Sequence, residues 1–316
     1  MSTTHRSFGL LLALAPLLCL GALGGSADAR DNHETLDSAL ASQAPDEPSN
    51  AAALSDPLQQ LLDRFGDDVQ CELVSTPPGG GEAVEGELFG TLTGEATGAV
   101  HIMGGSLGAE HGELVLSEDA EATVGDKRFR YVGEQWVDAV SVGPLSFVMP
   151  AGARRMASSQ EQAARREIAT GVRQMLDRYS ASGSDLGEKF GIEDFSALTL
   201  PAEAGQLVVH SIRMPPEENY LETMEREQQQ KLDWGKEQGI ISSVLGNRRI
   251  ELDGDAALRV DTMMGHGYRM ISIYHWSERD PGLTTAIMAI VVKDKFSKVE
   301  QPLEAALDSI RLRADK

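Results

Sequence analysis

The string Gly104-Gly105-Ser106-Leu107-Gly108 is the one place in this chain where residue types and spacing suggest catalysis. A G-x-S-x-G run after an apolar strand is the form of a nucleophile elbow. Glycines there remove the Cβ clashes of a sharp turn, and the exposed hydroxyl can meet a histidine. Partners follow in the right chain order, Asp253 or Asp261 and then His266 or His275, so a triad would take Ser106 as nucleophile, His275 as base and Asp261 as the group that orients it. An elbow also requires a helix after the serine. The following AEHGELVLSED contains Gly112 and reads as a turn and a strand.

Other constellations are thinner. His101, Glu110 and His111 flank one turn, but without an E-x-x-H or C-x-x-C spacing they do not specify a metal site, and no metal and no cofactor is expected. Glu251, Asp253 and Asp255 surround a hairpin turn and lack the twelve-residue spacing of an EF-hand. His210 lies among Val208, Ile212 and Met214, and His275 shares a face with Ile271 and Ile273, which is the company of core histidines. Trp234, Tyr268, Tyr274 and Trp276 are the rings that could line a groove beside a sheet, and they are the candidate ligand-binding residues.

The elements that must position these residues begin after an apolar start. Arg6 precedes the run Phe8 to Leu23, which is short for a membrane span and contains Pro16, and Ala27-Asp28-Ala29 supplies small residues for cleavage. Residues 1–29 are therefore expected to be a signal peptide, with the mature chain starting at Arg30 in the periplasm or outside the cell and keeping no integral membrane segment. Of the two cysteines only Cys71 would remain, so no intramolecular disulfide is expected.

Asp and Glu number 49 against 28 Lys and Arg, a formal charge of −21. Such a chain repels phosphate backbones and anionic lipid, so nucleic acid is excluded as a partner and a protein or small-molecule ligand is expected. The same excess would suit a saline habitat.

Residues 30–56 carry few large apolar side chains and read as an acidic linker. Asp56-Pro57 opens a short helix striped by Leu58, Leu61, Leu62 and Phe65. Residues 57–142 then read as a small glycine-rich β region whose strands are VQCELV, AVHIM, ELVLS, FRYV and, just beyond, LSFVM. Ser158 or Ser159 opens a longer helix, and Leu207 to Met214 is a strand. A polar helix follows up to Gly239, and then ISSVL, RIEL, AALRVDTMM, YRMISIYHW and AIMAIVV form an antiparallel meander, with a turn expected at Gly246-Asn247. A last helix is expected to be capped by Ser297 with Glu300, and Phe296, Val299, Leu303, Leu307 and Ile310 form its buried stripe. Residues 143–316 are thus an α+β domain, an antiparallel sheet with flanking helices.

The stretch from IELDGDAALRVDTMM through YRMISIYHW to AIMAIVVKDKFSKVEQPLEAALDSIRL, ending at Ser309 to Leu312, resembles the PsbP-like superfamily, which includes bacterial envelope proteins of the DcrB type. The resemblance covers about Phe195 to Leu312 and implies a non-enzymatic binding or assembly factor of the cell envelope. A secreted serine hydrolase built on Ser106 is the alternative. Whether the protein is an enzyme stays open at this point, with binding favoured.

Overall fold

The computed structural model describes residues 56–79, 82–108, 114–180, 191–213, 220–277, 279–280 and 282–313. The expected signal peptide, residues 30–55 of the expected linker, Glu110, His111 and Met214 lie outside them. The chain forms two compact units that divide after Trp136. That division falls inside a strand, ahead of the junction at 142 that composition suggested.

The first unit opens with α1 (Pro57–Leu62), where the Asp56 carboxylate accepts the Leu58 N–H at 2.9 Å and the proline sits in the first turn. Five strands follow as an antiparallel meander: β1 (Gln70–Val74), β2 (Glu87–Thr93), β3 (Gly98–Leu107), β4 (Leu114–Val124) and β5 (Lys127–Val132). Leu61, Leu73, Leu88, Leu92, Ile102 and Phe129 are central to its core. The Trp136 indole closes it by donating to the Pro57 carbonyl at 2.8 Å. Strand β2 is absent from the sequence reading because Gly90 interrupts its apolar side and threonines fill the other.

The division runs through β6 (Gln135–Val142), and β7 (Leu145–Val148) pairs with it antiparallel. The rest of the second unit comprises β8 (Arg154–Arg155), α2 (Ser158–Ser180), β9 (Gly191–Thr199), β10 (Gly205–Arg213), α3 (Tyr220–Glu237), β11 (Ile241–Leu252), β12 (Asp255–Met264), β13 (Tyr268–Trp276), β14 (Leu283–Val292), α4 (Phe296–Asp308) and β15 (Arg311–Leu312). Strands β8 to β14 make an antiparallel sheet in the order β11-β12-β13-β14-β10-β9-β8. One face carries Leu207, Val209, Ile271, Ile287 and Val291 and packs on Leu145 and Phe147 of β7 and on Val299 and Leu303 of α4. The opposite face sets Leu258, Tyr274 and Ile290 against Met224 and Leu232 of α3. Every residue of β14 from Leu283 to Val291 is buried, which explains an apolar run without alternation. Sheet and helices together make an α+β fold.

Two local expectations change. Gly246-Asn247 is no turn: Ile241 to Leu252 is one strand whose register to β12 shifts between Val244 and Gly246, a bulge that glycine tolerates. Ser297 does not cap α4, because a 3-10 turn over Lys293–Lys295 leads the chain into the helix at Phe296 and leaves Ser297 inside it. The Ser309 hydroxyl instead ties the end of α4 to β7, accepting the Val148 N–H at 2.8 Å and donating to the Ala306 carbonyl at 2.7 Å.

Candidate functional site

Ser106 stands exposed in β3, directly opposite Val115 of β4, and the strand runs on to Leu107. The strand-to-helix turn of a nucleophile elbow is not formed there. The glycines of the string have a different cause. The β3–β4 register shifts between Met103 and Gly105, and the N–H groups of Gly104 and Gly105 both donate to the Gly86 carbonyl, at 2.7 and 3.1 Å. Gly104 has φ 77°, and a Cβ there would lie 2.4 Å from the Ser117 hydroxyl. The string is a β-bulge.

His275 and Asp261, the proposed base and its orienter, belong to the second unit and do not bond each other. His275 is fully buried, and its Nε2 faces the Asp255 carboxylate at 3.3 Å. Burial lowers its pKa, and Asp255 opposes that shift. Asp261 is held in a two-pronged pair by Arg269, at 3.0 and 2.5 Å, and that guanidinium lies 3.8 Å from the centre of the Phe296 ring. His210 is fully buried opposite Phe195 and Ala286, both ring nitrogens lack a hydrogen-bond partner, and burial pushes its pKa down to about 4.

Tyr268, Tyr274 and Trp276 alternate along β13 and pack together on the face covered by α3. Tyr274 is buried, and its hydroxyl lies beside Gln228 and Ser272, with the Ser272 oxygen outside hydrogen-bond geometry. Trp234 is half-buried on α3. Tyr274, with Tyr268 and Trp276 partly buried against it, belongs to the core on that face, a role the period-two spacing on β13 already allowed.

The candidate site is an open groove in the first unit. A groove of about 640 Å³ lies along the β1–β2 ribbon, lined by Gln70, Glu72, Val74, Phe89, Thr91 and Thr93, with Thr76 and Pro78 at one end. The register explains its form. Gln70 pairs with Thr93, Glu72 with Thr91 and Val74 with Phe89, so all six side chains stand on one face, while Leu73, Leu88 and Leu92 fill the core on the other. Phe89 is braced from the side by its cross-strand neighbour His101, stacked with centroids 4.7 Å apart, and His101 Nε2 lies 2.9 Å from Glu87 Oε2. Gly90 has to be glycine: a Cβ would come within 2.7 Å of the Glu72 carbonyl oxygen and 2.8 Å of Cys71 Sγ. Burial pushes the Cys71 thiol up, which keeps it protonated and disfavours redox chemistry beside the groove.

The solution structure of cyanobacterial PsbP (CyanoP) from Synechocystis sp. PCC 6803 is similar to this chain, at 10% identity and a TM-score of 0.32, over 54% of this chain and 87% of that one. Nothing about ligand or partner carries over at that level. No protein-family model matches the chain, and no curated protein matches it.

Among the described residues no group of histidines, cysteines and carboxylates is placed to hold a metal ion, and no helix is long and apolar enough to cross a membrane. The groove residues went unnoticed in the sequence because β2 did. The signal was present in ELFGTLT, where Leu88 and Leu92 alternate with Phe89, Thr91 and Thr93.

Proposed function

We propose that this protein is an exported, non-enzymatic binding factor of the cell envelope or periplasm, and that the β1–β2 groove is where it binds. The observation that carries the reading is the groove itself: a pocket-sized open surface floored by a braced aromatic ring and flanked by hydroxyls and a carboxylate. The apolar start and the acid-rich composition support export and a protein or small-molecule partner. A PsbP-like identity for residues 143–316 fits the same reading, supported by the order of strand pair, helix, four-strand meander and terminal helix. Hydrolysis has no comparable support, since Ser106 sits in a bulged strand and the proposed base and acid are each engaged elsewhere.

A photo-crosslinking amino acid at Thr91 or Thr93, compared with one at exposed Glu118, tests this in the native compartment. Discrete adducts from the groove positions alone are expected. Equal labelling at Glu118, or an esterase activity that disappears in Ser106→Ala, overturns it.

A further inference from the structure

Three independent observations meet on β1. Among the described residues it ends its sheet, so one side of its backbone has no described strand beside it. The groove runs along its outer face, where Gln70, Glu72 and Val74 alternate with core residues and Val74 is 46% exposed. Its surroundings also carry charge of a single sign. From Phe65 to Asp126 the sequence contains no Lys or Arg and thirteen Asp and Glu.

From this we infer that β1 receives an extended, cationic segment of a partner protein, which adds a strand to the sheet edge and lays alternate side chains over the groove. The inference rests on the binding reading above and names its partner class. An unpaired edge supplies backbone donors and acceptors at a spacing that only another extended chain can satisfy repeatedly. Successive residues on one face of an added strand stand opposite Gln70, Glu72 and Val74, so the segment has the pattern polar, cationic, apolar at every second position. The cation faces Glu72. The apolar residue covers Val74 and meets the Pro78 wall and the Phe89 ring.

Charge also argues against the other obvious occupant. A second copy of this chain would bring two cation-free edges together, and like charges opposed across a strand pair are destabilising. The same field draws a basic segment in and weakens as salt rises. Glycine at position 90 fits this use, because it keeps the ribbon thin beneath the groove and allows Cys71 Sγ to lie against the backbone.

The test uses residues 30–316 as one intact chain and a labelled nonapeptide in which threonine alternates with valine and lysine. Binding is expected at low salt, with protection of the amides of residues 70–74 from hydrogen exchange. Glu72→Lys is expected to weaken it at least tenfold and Glu72→Gln by less. A peptide with glutamate for lysine, and one N-methylated along a single backbone edge, should each lose it. Equal binding of the N-methylated peptide would show electrostatic adsorption alone and overturn the inference. So would an unchanged affinity in Glu72→Lys, or sedimentation as a dimer with β1 already protected. Adducts from Thr91 that this peptide does not displace would sink the inference and leave the binding reading standing. Absence of groove adducts would sink the reading itself.

Discussion

The two units satisfy their sheets differently. In the second, both faces of the sheet are covered, β14 is buried from Leu283 to Val291, and its charged groups are tied into pairs such as Arg269–Asp261 and Arg259–Glu304. In the first, one face of β1 to β5 builds the core while the other keeps an open groove and exposed Val74, Val115 and Val132. A surface that is already satisfied internally has little left to offer a partner. The proposed binding surface therefore lies in the unit with the thinner core.

The largest expected effect tests that division of labour. Ile287→Ala, in the middle of the doubly covered β14, should cost about 4 kcal/mol, whereas Leu73→Ala on the edge strand β1 should cost about 2 kcal/mol, read from urea unfolding midpoints. Equal losses would remove the contrast.

Acid should act on the second unit through His210. Its folded pKa of about 4 lies below the ordinary 6.5, so the unfolded chain binds the proton more readily between those values. The stability this neutral histidine preserves is fully present above pH 6.5 and declines as pH falls toward 4, by up to about 3 kcal/mol. His275, also lowered by burial, acts in the same direction. Replacing His210 with leucine should flatten the pH slope of stability. An unchanged slope would show that the ring is not the titrating group.

Gly90→Ala sharpens the comparison from the other side. The added methyl meets backbone oxygen rather than a flexible side chain, so a cost of about 2 kcal/mol and a distorted groove are expected, visible as changed amide shifts in β1. Asp261→Asn should cost about 1 kcal/mol by weakening the Arg269 pair, which is only partly shielded from water. Glu72→Gln should change stability by less than about 0.5 kcal/mol, as an exposed surface substitution.

Local structure in both units was partly legible in the chain. The boundaries of β13, the Asp56 cap of α1 and the apolar stripe of α4 follow from local periodicity and cap chemistry, which depend on residues within a few positions of one another. The bulge at Gly246 and the entry to α4 at Phe296 were not, since a glycine-asparagine pair serves a turn or a bulge equally well until the neighbouring strand fixes the register.

The G-x-S-x-G string shows the same division between local and distant information. Its residue types are compatible with an elbow or a bulge, and only the pairing of β3 with β4, with Gly86 accepting two N–H groups, decides for the bulge. The groove depended on tertiary structure even more. Phe89, Thr91 and Glu72 belong to two strands whose register aligns their side chains, and no spacing along the chain encodes that alignment. By itself the sequence determined the charge, the apolar start, the α+β order of elements and the Asp56 cap of α1, because these are properties of composition and near neighbours. Strand pairing and burial decided which serine is ordinary, which histidines are sealed and where an open groove forms, because those outcomes arise only when distant segments share a surface.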